Sequence, residues 1–237
     1  MGQPRLFSII DKACYDYRMI EKGDRILVGA SGGKDSTALI EYLANRKKRK
    51  DADFEFQCVF IKTEFASPLP QNILDNFKNW GINLHTIEIN IEERSKKEKK
   101  TGCYWCSTQR RTELLKFAVE GGFNKIALGH HQDDILETVL MNALEKGLLG
   151  GMPPVLEYKK YPLKVIRPLC YAPQNIIVEQ AKKMNYYGFT CTCSFQDNST
   201  RKTVRKNLEI LTSSDEKTKQ RLFDALVKQA PFQSDSN

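Results

Sequence analysis

Apolar stretches typical of β-strands alternate with helical patterns along most of the chain, and this alternation limits the possible folds more than any other feature. The strand patterns cover residues 25–30, 54–61, 83–91 and 125–128, and residues 155–169 contain a further strand-like stretch. The helical patterns between and after them cover 36–43, 72–80, 107–119, 134–145 and 175–184. Such alternation predicts an α/β fold, in which a parallel sheet is covered by helices on both faces and ligands bind at the carboxyl ends of the strands.

Two helical segments flank this core. Apolar residues recur at helical spacing near the start of the chain, and a basic helical segment begins near Thr203. We therefore divide the chain into an N-terminal helix (1–22), an α/β domain (23–170) and a C-terminal helical, cysteine-containing segment packed on that domain (171–237). Residues 92–101 form a charge run without an apolar face, which predicts a surface loop.

The composition narrows the class of protein. The 237 residues suffice for one sizeable core. No run of 18 apolar residues occurs and the first five residues lack a signal-like apolar segment, so we expect a cytoplasmic protein without membrane contact. Lysine and arginine number 37 against 29 acidic residues, a net charge of +8. This excess favours a polyanionic partner such as nucleic acid, although a generally basic soluble protein is equally compatible.

The string GASGGKDSTAL, residues 29–39, lies between a predicted strand and a predicted helix. Glycines at such a junction expose backbone amides and a helix N-terminus to an anion, which predicts a phosphate site over Ser31, Gly32, Gly33, Lys34, Asp35 and Ser36. The spacing fits neither the Walker A motif nor the dinucleotide fingerprint. Ser-Gly-Gly-x-Asp-Ser instead resembles the PP-loop of the ATP pyrophosphatases. The alternative interpretation is a glycine turn before a helix in which the aspartate has no function.

Asp35 is the unusual member of this string, because a carboxylate beside a triphosphate is repelled unless a divalent cation lies between them. Mg²⁺ binds through one or two carboxylates and phosphate oxygens. We therefore expect Asp35 to hold Mg²⁺ and Lys34 to balance phosphate charge.

A second string, IALGHHQDDILET at residues 126–138, has the same strand, glycine and helix order. Its candidate nucleotide-site residues are Gly129, His130, Asp133 and Asp134. Acidic residues in a first helical turn are also ordinary caps that complement the helix dipole, so the spacing alone leaves both interpretations open.

Seven cysteines, an odd number, argue against a disulfide framework. Cys103 and Cys106 have the i, i+3 spacing with which two thiols bind one metal or cluster, and Cys191 and Cys193 supply further thiols. A structural zinc site is the simplest interpretation from these residues alone. The remaining thiols lie in apolar surroundings and are predicted to be core residues: Cys14, Cys58 and Cys170.

Five strings occur together and in order over most of residues 6–210: MIEKGDRILVGASGGKDS, CYWCSTQRR, KIALGHHQDDILET, GLLGGMPP and VIRPL. The chain resembles the TtcA family, the tRNA 2-thiocytidine synthetases of the PP-loop superfamily. The resemblance implies a Rossmann-like PP-loop (adenine nucleotide alpha hydrolase-like) fold and an enzyme that uses ATP, Mg²⁺ and a 4Fe-4S cluster.

In the family, three cysteines hold the cluster and its fourth iron is left open for sulfur. The resemblance assigns Cys103 and Cys106, while the later Pro-Cys-x-x-Cys pattern is replaced here by Thr190-Cys191-Thr192-Cys193-Ser194. An ungapped register makes Cys191 the third ligand, with Cys193 as the alternative. Ligation by all four cysteines would close the open iron and bring sulfur transfer into question.

The implied reaction adenylates C2 of a cytidine, at position 32 of the anticodon loop in the family, and replaces its oxygen with sulfur. Asp35, Cys103 and Cys106 are then the candidate catalytic residues. Partners are tRNA and a sulfur donor such as a cysteine desulfurase system, and a homodimer stays open. Candidate RNA contacts, each of which is also compatible with an ordinary solvated surface, are Arg110, Arg111, Arg201, Lys202 and Arg205.

Two other functions compete with this hypothesis. A thiouridine-forming PP-loop thiolase shares the loop, but such relatives usually have additional cysteine and histidine pairs for zinc at the chain ends, which this sequence lacks. A zinc-stabilised RNA-binding module retains the charge and cysteines but has no use for Asp35 or the Asp133-Asp134 pair.

Overall fold

The computed structural model describes residues 2–98, 102–158, 160–188 and 200–229. The helices in these ranges are α1 (Arg5–Asp16), α2 (Lys34–Lys47), α3 (Gln71–Asn79), α4 (Ile91–Glu98), α5 (Cys103–Glu120), α6 (Gln132–Lys146), α7 (Gln174–Lys183), α8 (Thr200–Thr212) and α9 (Glu216–Gln229). The strands are β1 (Asp24–Gly29), β2 (Phe54–Thr63), β3 (Leu84–Ile89), β4 (Lys125–Ala127), β5 (Val155–Glu157) and β6 (Lys164–Ile166).

Within the described residues the strands form one sheet in the order β3-β2-β1-β4-β6-β5. All neighbours pair in parallel except β5, which pairs antiparallel with β6 at the edge. The chain proceeds from β1 toward one edge through β2 and β3 and then returns to the other side of β1 at β4. In open α/β sheets this reversal of strand order creates a crevice at the carboxyl ends of the two strands. The crevice lies between the segments that follow β1 and β4.

The central strands are buried on both faces, as expected for strands covered by helices. One apolar cluster takes Leu6 and Ile10 from α1, Leu39 from α2, Ile177 from α7 and Phe223 from α9. The first helix and the C-terminal helices therefore share a core with the sheet, and the proposed division at residues 22 and 170 stays a prediction. Buried positions also include Cys14, Cys58 and Cys170, which confirms their prediction as core residues.

One prediction about local structure was wrong. The charge run expected to be a loop contains helix α4, which begins where Asn90 Oδ1 accepts a hydrogen bond from the Glu93 amide at 2.8 Å. Glu64 accepts two more, from the amides of Ile91 and Glu92. These three bonds satisfy amides that a helix start leaves open.

The stretch at 155–169, which was predicted to contain a strand, contains two short strands: β5 and β6 form an antiparallel hairpin and are separated by residues 158–163. The sheet is therefore mixed rather than parallel throughout. An antiparallel edge strand on an otherwise parallel sheet is common in such folds.

Candidate active site

The loop between β1 and α2 is fixed by its own serines. Gly32 has a φ of +79°, a left-handed conformation that glycine adopts without strain. The Ser36 hydroxyl lies 2.9 Å from the Ser31 hydroxyl and donates to the Gly33 carbonyl at 3.1 Å, while the Ser31 amide donates to Ser36 Oγ. The loop therefore leads into α2 with the N-terminus of this helix facing the crevice, as an anion site requires.

Lys34 and Asp35 form an ion pair at the first turn of α2. Lys34 Nζ lies 2.9 Å from both carboxylate oxygens of Asp35, whose side chain is 29% exposed. A triphosphate would compete for this lysine, because phosphate oxygens attract the same ammonium group. Release of the lysine would free the Asp35 carboxylate for a cation, which is the role predicted for it.

Gly129 brings the segment after β4 against the phosphate loop. A Cβ on Gly129 would lie 3.0 Å from the Asp35 carbonyl carbon and 2.9 Å from the Ser36 amide nitrogen, and the second distance is shorter than real Cβ atoms show. The absent side chain therefore permits two segments about 95 residues apart to share one site.

His131 lies inside a group of three carboxylates. Its Nε2 is 3.8 Å from Asp35 and 3.5 Å from Asp134, and its Nδ1 is 3.7 Å from Asp133. The side chain is 3% exposed, and among the described residues Nδ1 has no hydrogen-bond partner. The imidazole of His131 therefore lies between carboxylates from two chain segments, with Asp35 on the phosphate loop side and Asp133 and Asp134 on its own helix.

Asp133 makes structural contacts. Its carboxylate accepts from the Gln174 amide at 3.0 Å and from Lys219 Nζ at 3.2 Å, which ties α6 to the start of α7 and to α9. In the part of the chain that the structure describes, Asp133 lines neither of the two cavities in the crevice. Its predicted place in the nucleotide site stays a prediction, while Asp134 and His130 line the first cavity.

The crevice contains a cavity of about 330 Å³, which we name the nucleotide chamber. Its walls are the phosphate loop, the end of β2, one face of α5 and the start of the β4–α6 connection; they include Ser31, Asp35, Ile61, Arg111, Gly129 and His130. The walls combine apolar side chains with hydroxyl, carboxylate and guanidinium groups. This combination suits a ligand with a flat apolar base and a charged tail.

A second cavity of about 610 Å³, which we name the outer chamber, adjoins it. The two share six wall residues: Ser31, Asp35, Phe60, Ile61, Arg110 and Asp134. Four further wall residues of the outer chamber come from the C-terminal third of the chain: Gln174, Tyr187, Gly188 and Arg205. Sequence reasoning missed Gln174 and Tyr187, because contacts more than 100 residues apart leave no local pattern.

His130 is held neutral at the chamber wall. Burial lowers the pKa of its imidazole to about 4, and the charge of Arg167 acts in the same direction. Its buried Nδ1 has no hydrogen-bond partner among the described residues. A neutral imidazole has one nitrogen that donates a hydrogen bond and one that accepts.

The predicted cluster cysteines are only partly described. Cys103 is the first residue of α5, and Cys106 is half-buried and outside any disulfide. Arg110, which lines both chambers, follows Cys106 by four residues and therefore lies one turn along the same helix face. Cys191 and Cys193 lie outside the described residues. Within the described ranges no group of three or more histidine, cysteine and acidic side chains is arranged for a metal ion.

The predicted RNA contacts fall into two sets. Arg110 and Arg111 line the nucleotide chamber. Arg205 Nε lies 2.6 Å from the buried carboxylate of Glu137, and Arg201 Nε lies 3.6 Å from it, so these arginines dock α8 on α6. Lys202 is exposed on α8. Their contact with RNA stays a prediction.

Comparison with known proteins places the chain in a family. A PP-loop domain model matches residues 8–210. The tRNA-cytidine(32) 2-sulfurtransferase of Polynucleobacter necessarius subsp. necessarius (strain STIR1) is 38% identical over 212 residues, covering 87% of this chain and 70% of that protein. The chain belongs to the tRNA-cytidine(32) 2-sulfurtransferase family.

A second sulfurtransferase of this family, from Anaeromyxobacter sp. (strain K), is 35% identical over 231 residues, covering 96% of this chain and 79% of that protein. The U34-tRNA thiolase NcsA from Methanococcus maripaludis, solved with its 4Fe-4S cluster, superposes with a TM-score of 0.76 at 19% identity. That match covers 94% of this chain and 79% of NcsA, and it shows the shared fold. The TtcA resemblance and the PP-loop, Rossmann-like fold predicted from the sequence are confirmed.

No helix in the described ranges is both long and apolar enough to span a membrane.

Proposed function

We propose that this sulfurtransferase uses ATP to adenylate C2 of a cytidine in tRNA, at position 32 of the anticodon loop, and then replaces the C2 oxygen with sulfur. The observation that supports the adenylation step is the pair of joined chambers that share Asp35, Arg110 and Asp134. Two substrates between which an adenylyl group is transferred must meet at one point, and the chambers meet at these residues.

ATP occupies the nucleotide chamber in this proposal. The adenine packs against Val59, Ile61 and Leu114, and the phosphates extend toward the N-terminus of α2, where amides and the helix dipole favour negative charge. Lys34 turns from Asp35 to the phosphates. Asp35 and Asp134 are the carboxylates that would hold Mg²⁺, which supplies charge neutralisation of the phosphates when bound.

The cytidine occupies the outer chamber, with its O2 directed at the α-phosphate. A bond forms between O2 and the α-phosphorus, and the bond from that phosphorus to the bridging oxygen breaks, so pyrophosphate leaves. O2 is thereby converted from a poor leaving group into part of AMP. Sulfur at the oxidation level of sulfide then adds to C2, and AMP leaves with the original oxygen.

Cys103, Cys106 and one thiol of the Cys191/Cys193 pair are the residues that would hold a 4Fe-4S cluster. The described part of this set fits a cluster ligand: Cys106 is a half-buried thiol outside any disulfide, one helical turn from a residue that lines both chambers. When bound, the cluster would supply an iron at which inorganic sulfur is held for transfer.

The partners follow from this chemistry. The sulfur comes from a donor such as a cysteine desulfurase system, and the enzyme works in the cytoplasm, where tRNA is modified. A homodimer is the oligomeric state that we propose to test by light scattering.

The decisive experiment is mass spectrometry of nucleosides from the tRNA of a strain that lacks this gene, with a complemented strain as control. We expect 2-thiocytidine to disappear and to return on complementation. Unchanged 2-thiocytidine would refute the substrate. Absorption of the anaerobically purified protein separates the rival functions, because an iron–sulfur protein has a broad visible band, whereas a colourless protein with one zinc would support the RNA-binding module.

A further inference from the structure

Tyr187 is a large aromatic side chain that the fold leaves 53% exposed at the wall of the outer chamber. It follows Tyr186, which is 1% exposed and packs edge-on against Trp80. Burial of one tyrosine and exposure of the next means that the chain anchors this segment with the first and presents the second. Lys182 Nζ lies 5.4 Å from the centre of the Tyr187 ring, a cation–π contact that restricts the ring.

The segment that holds Tyr187 is bonded to α2 and α3. The Tyr186 hydroxyl donates to the buried Glu41 carboxylate at 2.7 Å, and Glu41 belongs to the helix whose first turn contains Lys34 and Asp35. The side-chain amides of Asn72 and Asn76 donate to the backbone carbonyls of residues 185 and 184. These bonds fix the position of Tyr187 relative to the phosphate loop, as a substrate-positioning group requires.

The charges around the outer chamber match a nucleotide in RNA. Arg110 lines it and provides a cationic group for a backbone phosphate, and Arg205, whose guanidinium is bonded to Glu137, adds positive charge to the same wall. Tyr187 is the exposed aromatic ring in its described wall. Cation-rich grooves with an aromatic ring are typical of sites for unpaired nucleotides, whose bases stack on the ring.

We propose that Tyr187 is the platform on which the target cytosine stacks when it leaves the anticodon loop and enters the outer chamber. This inference rests on the proposed function and adds the residue that receives the base. Stacking replaces the neighbour that the base loses on extrusion and so offsets part of the cost of flipping it. Because the ring is fixed to α2, the stacked base is held in a defined position relative to the nucleotide chamber.

The test uses an anticodon stem–loop RNA with the fluorescent analogue pyrrolocytosine at position 32, titrated with the anaerobically purified protein. We expect quenching of the analogue by the wild type and by Tyr187→Phe, since both have a ring. Tyr187→Ala is expected to lose most of the quenching and to bind the RNA roughly 10-fold more weakly, in line with the loss of one stacked base. ATP affinity is expected to stay unchanged.

Tyr15→Ala is the matched control, because Tyr15 is 85% exposed on α1 and does not line either chamber. A Tyr187→Ala protein that quenches, binds and thiolates like the wild type would overturn the inference while leaving the proposed function intact. A wild-type protein that thiolates no cytidine in native tRNA would instead overturn the proposed function. The two failures are therefore distinguishable.

Discussion

Gly129 and Ser36 touch so closely that a Cβ on Gly129 would lie 2.9 Å from the Ser36 amide nitrogen. The obstructing atoms are backbone, so they cannot turn aside as a flexible side chain would. Gly129→Ala is expected to push the β4–α6 connection away from the phosphate loop. We predict a loss of about 1–3 kcal/mol in the free energy of unfolding, the usual cost of overpacking, and weaker ATP binding measured by calorimetry.

Gly150→Ala is the control, because a Cβ at Gly150 meets nothing within 4 Å. Both variants add one methyl group, and only the first adds it at the contact between the two motifs. Equal stability and equal ATP affinity in the two variants would show that the close approach is not needed.

Asp35→Asn tests the metal role of the aspartate. The amide retains the shape of the side chain but loses the negative charge that attracts Mg²⁺, so we predict a roughly 100-fold or greater loss of ATP-dependent thiolation with an unchanged melting temperature. Pyrophosphate release with tRNA present is the measurement. Asp51→Asn, an exposed change between α2 and β2, is the control. Normal turnover by Asp35→Asn would contradict a metal role for Asp35 and would leave the loop as an ordinary glycine turn.

Substitutions of Arg110 and Lys202 are expected to differ in their effects on the affinities for ATP and for tRNA. Arg110 lines both chambers, whereas Lys202 is exposed on α8. We predict that Lys202→Ala leaves the Kd for ATP unchanged and lowers the slope of log affinity for tRNA against log salt by about 1, the loss of one phosphate contact. Arg110→Ala is expected to weaken both ligands. An unchanged salt slope in Lys202→Ala would remove this lysine from the RNA surface.

The buried carboxylate of Glu41 predicts a pH dependence of stability. Burial raises the pKa of Glu41, and hydrogen bonds from Tyr186 and Gln180 offset this only in part. Between the ordinary and the raised pKa, the folded protein therefore binds more protons than the unfolded chain, and the contribution of Glu41 to stability falls as pH rises through that range. The glutamine side chain in the Glu41→Gln variant does not titrate, so this variant lacks the contribution.

Urea unfolding at several pH values measures this contribution. The free energy of unfolding of the wild type minus that of Glu41→Gln is expected to decrease as pH rises above 4.5, the ordinary value for glutamate. Exposed Glu145 provides the control, since Glu145→Gln removes a carboxylate without a buried partner. A difference that stays constant with pH, or increases, would contradict the prediction.

Local patterns were sufficient for the elements of the sheet and for both glycine-containing loops, because strand and helix periodicity repeats within a few residues. Helix α4 was missed although part of its start is local, since Asn90 is an ordinary N-cap residue followed by two glutamates in the first turn. The segment was predicted to be a loop because it has no apolar face, although Asn90 is a favourable residue for a helix start. The bonds from Glu64, 27 residues upstream of Ile91, have no local trace.

For the candidate site, too, local patterns predicted the positions of some residues, and long-range contacts determined the rest. Asp35 and Asp134 lie in the first turns of the helices that follow β1 and β4, so their position at the carboxyl edge follows from fold class alone. Asp133 was chosen by the same rule, but neighbouring helical residues point in different directions, and its carboxylate contacts Gln174 and Lys219. Tyr187 belongs to a segment whose position depends on bonds to α2 and α3, and such long-range contacts do not follow from a single sequence.

The two attachments on either side of residues 189–199 have a consequence for protein engineering. The chain before this stretch is fastened by Tyr186 to Glu41, and the chain after it is fastened by Arg205 to Glu137. Both acceptors belong to helices that begin at the crevice, α2 and α6. A variant in which only residues 189–199 are exchanged for those of a relative would keep both of these bonds. We therefore expect that the spacing of Cys191 and Cys193 can be changed without altering how the flanking segments are attached to α2 and α6.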